Sequence, residues 1–283
     1  MKIVELSCGL GNQMFQYAFA LSLKHHFNMP ILLDRSLYDN PEHKEHPPLS
    51  LDIFPITLPY ATQEQKLKAK KSWLARKVLK KCGLPLLAPY CVFDYNPKLL
   101  QKKSYSYYTG FFQNPLYFSD ISLAIKNAFT PPPITSPINK AILAEILNSK
   151  ESTFLHIRRG DYLGINWELG IDYYKRALKE LLKRVENPSI FVFCVDKDFA
   201  QNFDIGYPIT IVQSDYSLHY EDMILMAHCK HGILANSTYS WWAAYLISNP
   251  HKVIIAPSPW IHSIQGSDNI ICQSWIKVSS QEQ

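Results

Sequence analysis

Glycine is scarce in this chain, with 10 among 283 residues, about half the usual ~7%. Each glycine inside a short motif is therefore informative. The six cysteines (Cys8, Cys82, Cys91, Cys194, Cys229, Cys272) are far apart and form no CxxC. No Cys/His spacing suits zinc, and the expectation is reduced, buried thiols in a cytosolic protein. No apolar run approaches the ~18 residues of a membrane span. Met14 to Leu23 imitates a signal peptide, but Gln16 interrupts it and Lys24, His25 and His26 follow where a cleavage site would stand. A helix is expected there, and export is not.

Acids are absent from one stretch. Residues 66–81, KLKAKKSWLARKVLKK, hold eight basic residues. The whole chain has 29 Lys+Arg against 24 Asp+Glu, or +5; without that stretch the balance is 21 against 24, or −3. The chain is thus mildly acidic with one basic segment, which reads as a helix with Leu67, Leu74 and Val78 on one side. With 47% apolar and 19% charged residues the composition is that of a globular protein. The length suits one large domain or two of about 130–150 residues.

Ile3–Leu6 reads as a strand, Gly9 and Gly11 punctuate the turn, Asn12 is placed to cap a helix over 13–27, and Pro30–Asp34 reads as a buried strand ending in a carboxylate. Residues 40–62, rich in Pro and His, read as a loop-rich insertion. Four prolines within TPPPITSP (130–137) mark a domain boundary, dividing the chain into 1–135 and 136–283. Beyond it, short apolar strands at 153–157, 190–195, 209–212, 232–235 and 253–256 alternate with helices at 172–185, 221–229 and 237–247. That alternation predicts a parallel, doubly wound α/β sheet, whose ligands bind at the carboxyl ends of its strands.

The candidate residues fall at such ends. Gly9-Leu10-Gly11-Asn12-Gln13 lies between a strand and a helix; Met14 stands where a dinucleotide fingerprint needs its third glycine. In His156-Ile157-Arg158-Arg159-Gly160-Asp161, strand alternation points His156 and Arg158 one way and Arg159 the other. Arg158 suits a pyrophosphate; Arg159 suits either that role or an ion pair, for example with Asp161. Asn236-Ser237-Thr238 opens a helix, where unpaired N–H groups and hydroxyls suit an anion, or where Ser and Asn simply cap. Glu221 or Asp222 can accept the adjacent N1–H and N2–H of guanine, or cap a helix. Asp196-Lys197-Asp198 is a D-x-D after a strand, read as metal-free because Arg158 and Arg159 already supply cations.

GLGNQMFQYAFA at Gly9–Ala20, HIRRGDY at His156–Tyr162 and NSTYSWWAAYL at Asn236–Leu246 together resemble the bacterial α-1,2-fucosyltransferases of glycosyltransferase family 11. LLD at Leu32–Asp34, the stretch Phe54–Ala61 and Gly170–Tyr174 extend the likeness over nearly the whole chain, in order. The resemblance implies a GT-B fold, two Rossmann-like domains facing a cleft. It implies transfer of L-fucose from GDP-β-L-fucose to the 2-OH of a terminal β-galactose, with inversion and no metal or other cofactor. It places Arg158 on the donor pyrophosphate, Ser237 and Thr238 on phosphate, and Asp222 on guanine, with Arg159, Asp196, Asn236, Gly9, Gly11 and Asn12 also on the donor side. One departure stands out: the family's F-S-D-D is Phe193-Cys194-Val195-Asp196 here, so only the second acid is present.

On this reading Arg158 stabilises departing GDP. His156, Asp161 and Asp34 are all candidate bases, with the choice open; if the stable 6-deoxy sugar cation needs little base, Asn12 and His156 mainly orient the acceptor. Asp34, Gln13 and Trp167 are candidate acceptor contacts, while a core role suits Trp241-Trp242. Expected partners are GDP-fucose and β-galactoside glycans such as lactose or type 1 and type 2 chains. Residues 66–81 are either a candidate contact with an anionic membrane, at the cytoplasmic face of the inner membrane, or a solvated surface helix. Nucleic acid is not expected, because the remaining charge is negative. A fucosyltransferase of α-1,6 linkage and a GDP-sugar-binding protein without turnover are the alternatives.

Overall fold

The computed structural model describes residues 1–40, 47–70 and 88–281, which fall into two compact units, Met1–Thr130 and Pro131–Gln283. In the first unit, β1 (Lys2–Glu5) is flanked by β2 (Ile31–Asp34) and β3 (Tyr107–Tyr108) in a three-stranded parallel sheet of order β2-β1-β3. α1 (Leu10–His26) links β1 to β2 and buries most of its length. Phe19 anchors it, stacked on Phe112 with ring centroids 3.9 Å apart. The helix begins earlier than its apolar pattern suggests. Its N-cap is Gly9, not Asn12, and the Gly9 carbonyl accepts the Asn12 and Gln13 amides at 2.9 and 3.1 Å. Asn12 lies in the first turn, where its Oδ1 accepts from Gln113 Nε2 at 2.8 Å. Residues 63–70 are helical; residues 71–81 of the basic segment lie outside the described residues.

In the second unit, the proline-rich stretch ends where α2 (Pro137–Asn148) begins with Pro in its first turn, the position where a missing N–H costs nothing. Six strands follow: β4 (Ser152–Ile157), β5 (Ser189–Cys194), β6 (Ile209–Ile211), β7 (His231–Ile233), β8 (Ile254–Ser258) and β9 (Ile276–Ser279). All are parallel, in the order β6-β5-β4-β7-β8-β9. The chain runs outward from β4 to one edge, returns, and runs outward from β7 to the other. β4 and β7 therefore flank the point where strand order reverses, which is where such sheets bind ligands.

α3 (Ile171–Leu182) follows β4, α4 (Lys197–Gln201) follows β5, α5 (Tyr220–His228) precedes β7 and α6 (Thr238–Leu246) follows it. β4 is buried at every position, as a central parallel strand must be. Close approach of β7 to β4 requires Gly232, since a Cβ there would sit 2.4 Å from the buried Phe154 ring. Trp241 and Trp242 are fully buried, and the Trp241 indole donates to the Ile270 carbonyl at 2.8 Å. Both are core residues. The five described cysteines carry free thiols.

Candidate functional site

The end of β4 carries His156 inward. The ring is buried, its Nδ1 finds no hydrogen-bond partner among the described residues, and it lies 5.9 Å from the Tyr239 ring. Burial and the neighbouring Arg158 push its pKa down to about 3, so His156 is uncharged at any physiological pH. Gly160, in left-handed geometry at φ +67°, turns the chain immediately after the arginines.

The two arginines are employed differently, and their partners differ from the sequence expectation. Asp161 pairs with Arg158, not Arg159: Arg158 Nη2 donates to Asp161 Oδ1 at 2.6 Å. The Arg158 guanidinium also lies over the Tyr162 ring at 5.1 Å, and its Nε is buried with no partner among the described residues. Arg159 Nε donates to Asp196 Oδ2 at 2.9 Å, with its guanidinium 4.0 Å from the centre of the Phe199 ring. Asp196 Oδ1 accepts from Phe199 N at 3.0 Å and so caps α4. The Phe199 amide and Arg159 hold this carboxyl below its ordinary range. Asp196 and Arg159 thus fasten the β4 and β5 ends together, the ion pair that was the alternative for Arg159, with Asp196 in place of Asp161 as its partner.

After β7 the chain reaches Asn236, Ser237 and Thr238. Ser237 is the N-cap of α6, and its hydroxyl accepts from Tyr239 N at 3.3 Å. Thr238 is the first residue of that helix. Asn236 is buried; its Nδ2 donates to the Trp167 carbonyl at 2.7 Å, while its Oδ1 has no partner among the described residues. The Tyr162 hydroxyl donates to the Asn236 carbonyl at 3.3 Å, and the Tyr162 ring meets the Trp167 ring edge-on at 5.8 Å. Trp167, an acceptor candidate, therefore belongs to the second unit, beside Asn236.

α5 separates its two acids. Glu221 is fully buried and accepts from Thr135 N and Oγ1, both at 2.7 Å, and from Asn139 Nδ2 at 2.8 Å. Burial pushes its pKa up, but these bonds outweigh burial and leave it below the ordinary value. Glu221 ties α5 to the start of the unit. Asp222 is the acid that remains available: its Oδ1 is buried and unpartnered among the described residues, and burial, with the adjacent Glu221 charge, raises it to about 6 against a Ser214 hydrogen bond. Tyr239 brings α5 to the site. Its hydroxyl accepts from Met223 N at 2.8 Å and donates to the His219 carbonyl.

The structure thus gathers His156, Arg158, Asp161, Asp222, Asn236, Ser237, Thr238 and Trp167 around the reversal point of the second sheet. Tyr162 and Tyr239, not singled out from the sequence, join them; each lies inside a motif whose neighbours drew attention. Among the described residues no group of three or more His, Cys, Asp or Glu side chains is placed to hold a metal.

The remaining candidates are in the first unit. Gly9 has ordinary extended geometry, and a Cβ there would meet only Pro47 at 4.0 Å, so packing within the unit does not demand a glycine. Gly11 is buried in the first turn of α1. Gln13, expected to meet the acceptor, is fully buried and spends both ends of its amide on the fold. Its Nε2 donates to the Cys8 and Pro48 carbonyls at 2.8 and 3.1 Å, and its Oε1 accepts the Ser50 and Leu51 amides at 3.0 Å each. Asp34 is likewise occupied. It accepts from Ser36 N at 2.9 Å and from the Tyr107 hydroxyl at 2.7 Å, with Lys66 and Lys70 at 3.5 and 3.6 Å. Burial raises its pKa, but the Ser36 and Tyr107 bonds and Lys66 outweigh it and leave Asp34 ionised below the usual range. Neither residue keeps a free group for an acceptor or a proton.

Comparison with known proteins adds to this geometry. The model of Glycosyl transferase family 11 matches residues 59–279. An alpha-1,2-colitosyltransferase of Escherichia coli is 27% identical, over 98% of this chain and 98% of its own. The O-antigen biosynthesis glycosyltransferase WbnK of Escherichia coli is 28% identical, over 96% of this chain and 99% of its own. Among solved structures, a mutant of Arabidopsis thaliana FUT1 in complex with GDP superposes with a TM-score of 0.54 at 13% identity, covering 90% of this chain and 69% of that one. That likeness identifies the α/β fold as the GT-B type.

Proposed function

The chain belongs to glycosyl transferase family 11, and on that premise we propose that it moves L-fucose from GDP-β-L-fucose to the 2-OH of a terminal β-galactose, with inversion. One observation carries this reading. Arg158 Nε, His156 Nδ1, Asn236 Oδ1 and Asp222 Oδ1 are all buried without partners among the described residues, around one end of one sheet. Each such group costs about 1–3 kcal/mol, and a polar ligand that completes them removes the cost.

GDP has the matching chemistry. Arg158 and the first turn of α6, with Ser237 and Thr238, face the diphosphate and neutralise the charge that grows on it as the sugar departs. Donors arranged in advance for such charge are worth roughly 3–4 kcal/mol each in the transition state. Asp222 accepts from guanine N1–H and N2–H. His156, held uncharged, packs beneath this site and orients it without taking a proton. The name of the 27%-identical relative supports the 1,2 linkage and also favours a second donor, colitose, which is fucose without its 3-OH.

The second relative's role in O-antigen biosynthesis supports a glycan acceptor carried on lipid, and with it a cytoplasmic location at the membrane face. In residues 66–81, Lys66 and Lys70 are drawn to Asp34, so a membrane contact there falls to the other basic residues of the segment. The deciding experiment incubates the purified chain with GDP-fucose or GDP-colitose and lactose, type 1 and type 2 acceptors, and reads the linkage by NMR. An α-1,2-linked product is expected; a different linkage, or no consumption of either donor, overturns the proposal.

A further inference from the structure

The proton acceptors suggested by the sequence each have a partner or a perturbing neighbour within the fold. His156 has lost its basicity to burial and Arg158. Asp161 holds Arg158 at 2.6 Å, and Asp34 is engaged by Ser36, Tyr107 and Lys66. Glu168 is in a different state. Its Oε2 is buried and has no hydrogen-bond partner among the described residues. A carboxylate oxygen left so is costly, and such an exception calls for a cause.

The backbone brings this acid to the donor site. The Trp167 carbonyl, which leads into Glu168, accepts Asn236 Nδ2 at 2.7 Å. The Trp167 amide donates to the Tyr162 carbonyl at 3.0 Å, and its indole donates to Ser263 Oγ at 3.2 Å. Asn236 immediately precedes Ser237, the cap of α6. The peptide leading into Glu168 therefore meets the residue before the turn assigned to the diphosphate, with Trp167 held by two backbone hydrogen bonds and one from its indole.

We propose that Glu168 is the general base of the transfer, a reading that rests on the donor placement above. Glu168 Oε2 takes the proton of the acceptor hydroxyl as that oxygen bonds to the anomeric carbon of the donor sugar. The bond from that carbon to the diphosphate oxygen breaks, and its electron pair leaves with GDP, whose charge Arg158 and the α6 N-terminus neutralise. The proton passes from Glu168 to solvent before the next turnover.

The test compares two nucleophiles in Glu168→Gln and Glu168→Ala. Lactose must lose a proton to react, whereas the azide ion has none to lose. A general base is typically worth ~10²–10⁴-fold. With GDP-fucose as donor, both variants are expected to lose more than tenfold in kcat toward lactose, with KM for GDP-fucose unchanged, and to form fucosyl azide at the wild-type rate. Retention of a tenth or more of lactose turnover overturns the proposal. So does an equal fall toward lactose and azide, which marks Glu168 as structural. A wild-type chain that consumes no GDP-fucose with either nucleophile overturns the donor reading, and this one with it.

Discussion

Arg159 Nε donates to Asp196 Oδ2 at 2.9 Å, which leaves the preceding Arg158 as the arginine of this strand end with a buried, unpartnered nitrogen. Two adjacent residues of one type thus do different work. Arg158→Ala should cut transfer by 100-fold or more, the roughly 3–4 kcal/mol of a preorganised donor, while the chain stays folded. A variant keeping a tenth of wild-type turnover would refute the assignment. Arg159→Ala should act mainly on stability. Its ion pair is partly exposed, so the loss is at most about 1 kcal/mol, read by denaturant melting.

The adjacent acids of α5 should respond to pH with opposite signs. Asp222 is raised to about 6, above the ordinary carboxyl value of 3.8, so the folded chain binds its proton more tightly. Its contribution to stability falls as pH rises through that window. Asp222→Asn should therefore melt above wild type at pH 7, with the difference shrinking toward pH 4. Guanine needs the ionised form, so the wild-type KM for GDP-fucose should rise as pH falls from 7 to 5. In Asp222→Asn it should be high throughout and flat with pH. Glu221 is lowered and adds stability above the ordinary glutamate value of 4.5, lost on acidification. Glu221→Gln should melt below wild type at pH 7, by about 1.5–3 kcal/mol for bonds to a charged group.

Gly232→Ala places a methyl 2.4 Å from a Phe154 ring carbon. Overpacking of a filled core costs about 1–3 kcal/mol, measurable as a lower urea midpoint. Phe154→Leu in the same chain should recover part of it; a fully stable Gly232→Ala would show that the β4–β7 spacing is adjustable.

Dialysis against EDTA should leave transfer intact. Asp196, the acid that a D-x-D metal site would need first, is occupied by Arg159 and the Phe199 amide. Activity lost to EDTA and restored by Mn²⁺ would reverse this expectation.

Much of the second unit was legible before folding. Buried parallel strands are continuous apolar runs, so β4, β5, β7 and β8 stood out, and the motifs at their ends fell where ligands bind such sheets. β3 left no trace, because two residues, Tyr107 and Tyr108, carry no periodicity. β9 was missed because it is an edge strand, Ile276–Ser279, that is half-buried on alternate residues only. α2 was masked by the prolines before it.

The sequence by itself determined the strand–helix alternation, the core role of Trp241 and Trp242, and which segments carry arginine, hydroxyl and acid. Those properties reside in residue type and spacing along the chain. Tertiary structure alone decided which arginine keeps an unpartnered nitrogen, which of Glu221 and Asp222 is available, how Gln13 and Asp34 are bonded within their unit, and that the peptide leading into Glu168 meets Asn236. Each of those outcomes depends on hydrogen-bond partners distant in sequence, such as Arg159 with Asp196 or Thr135 with Glu221. A side chain's chemistry is written in its type, but its availability depends on what the fold has placed against it.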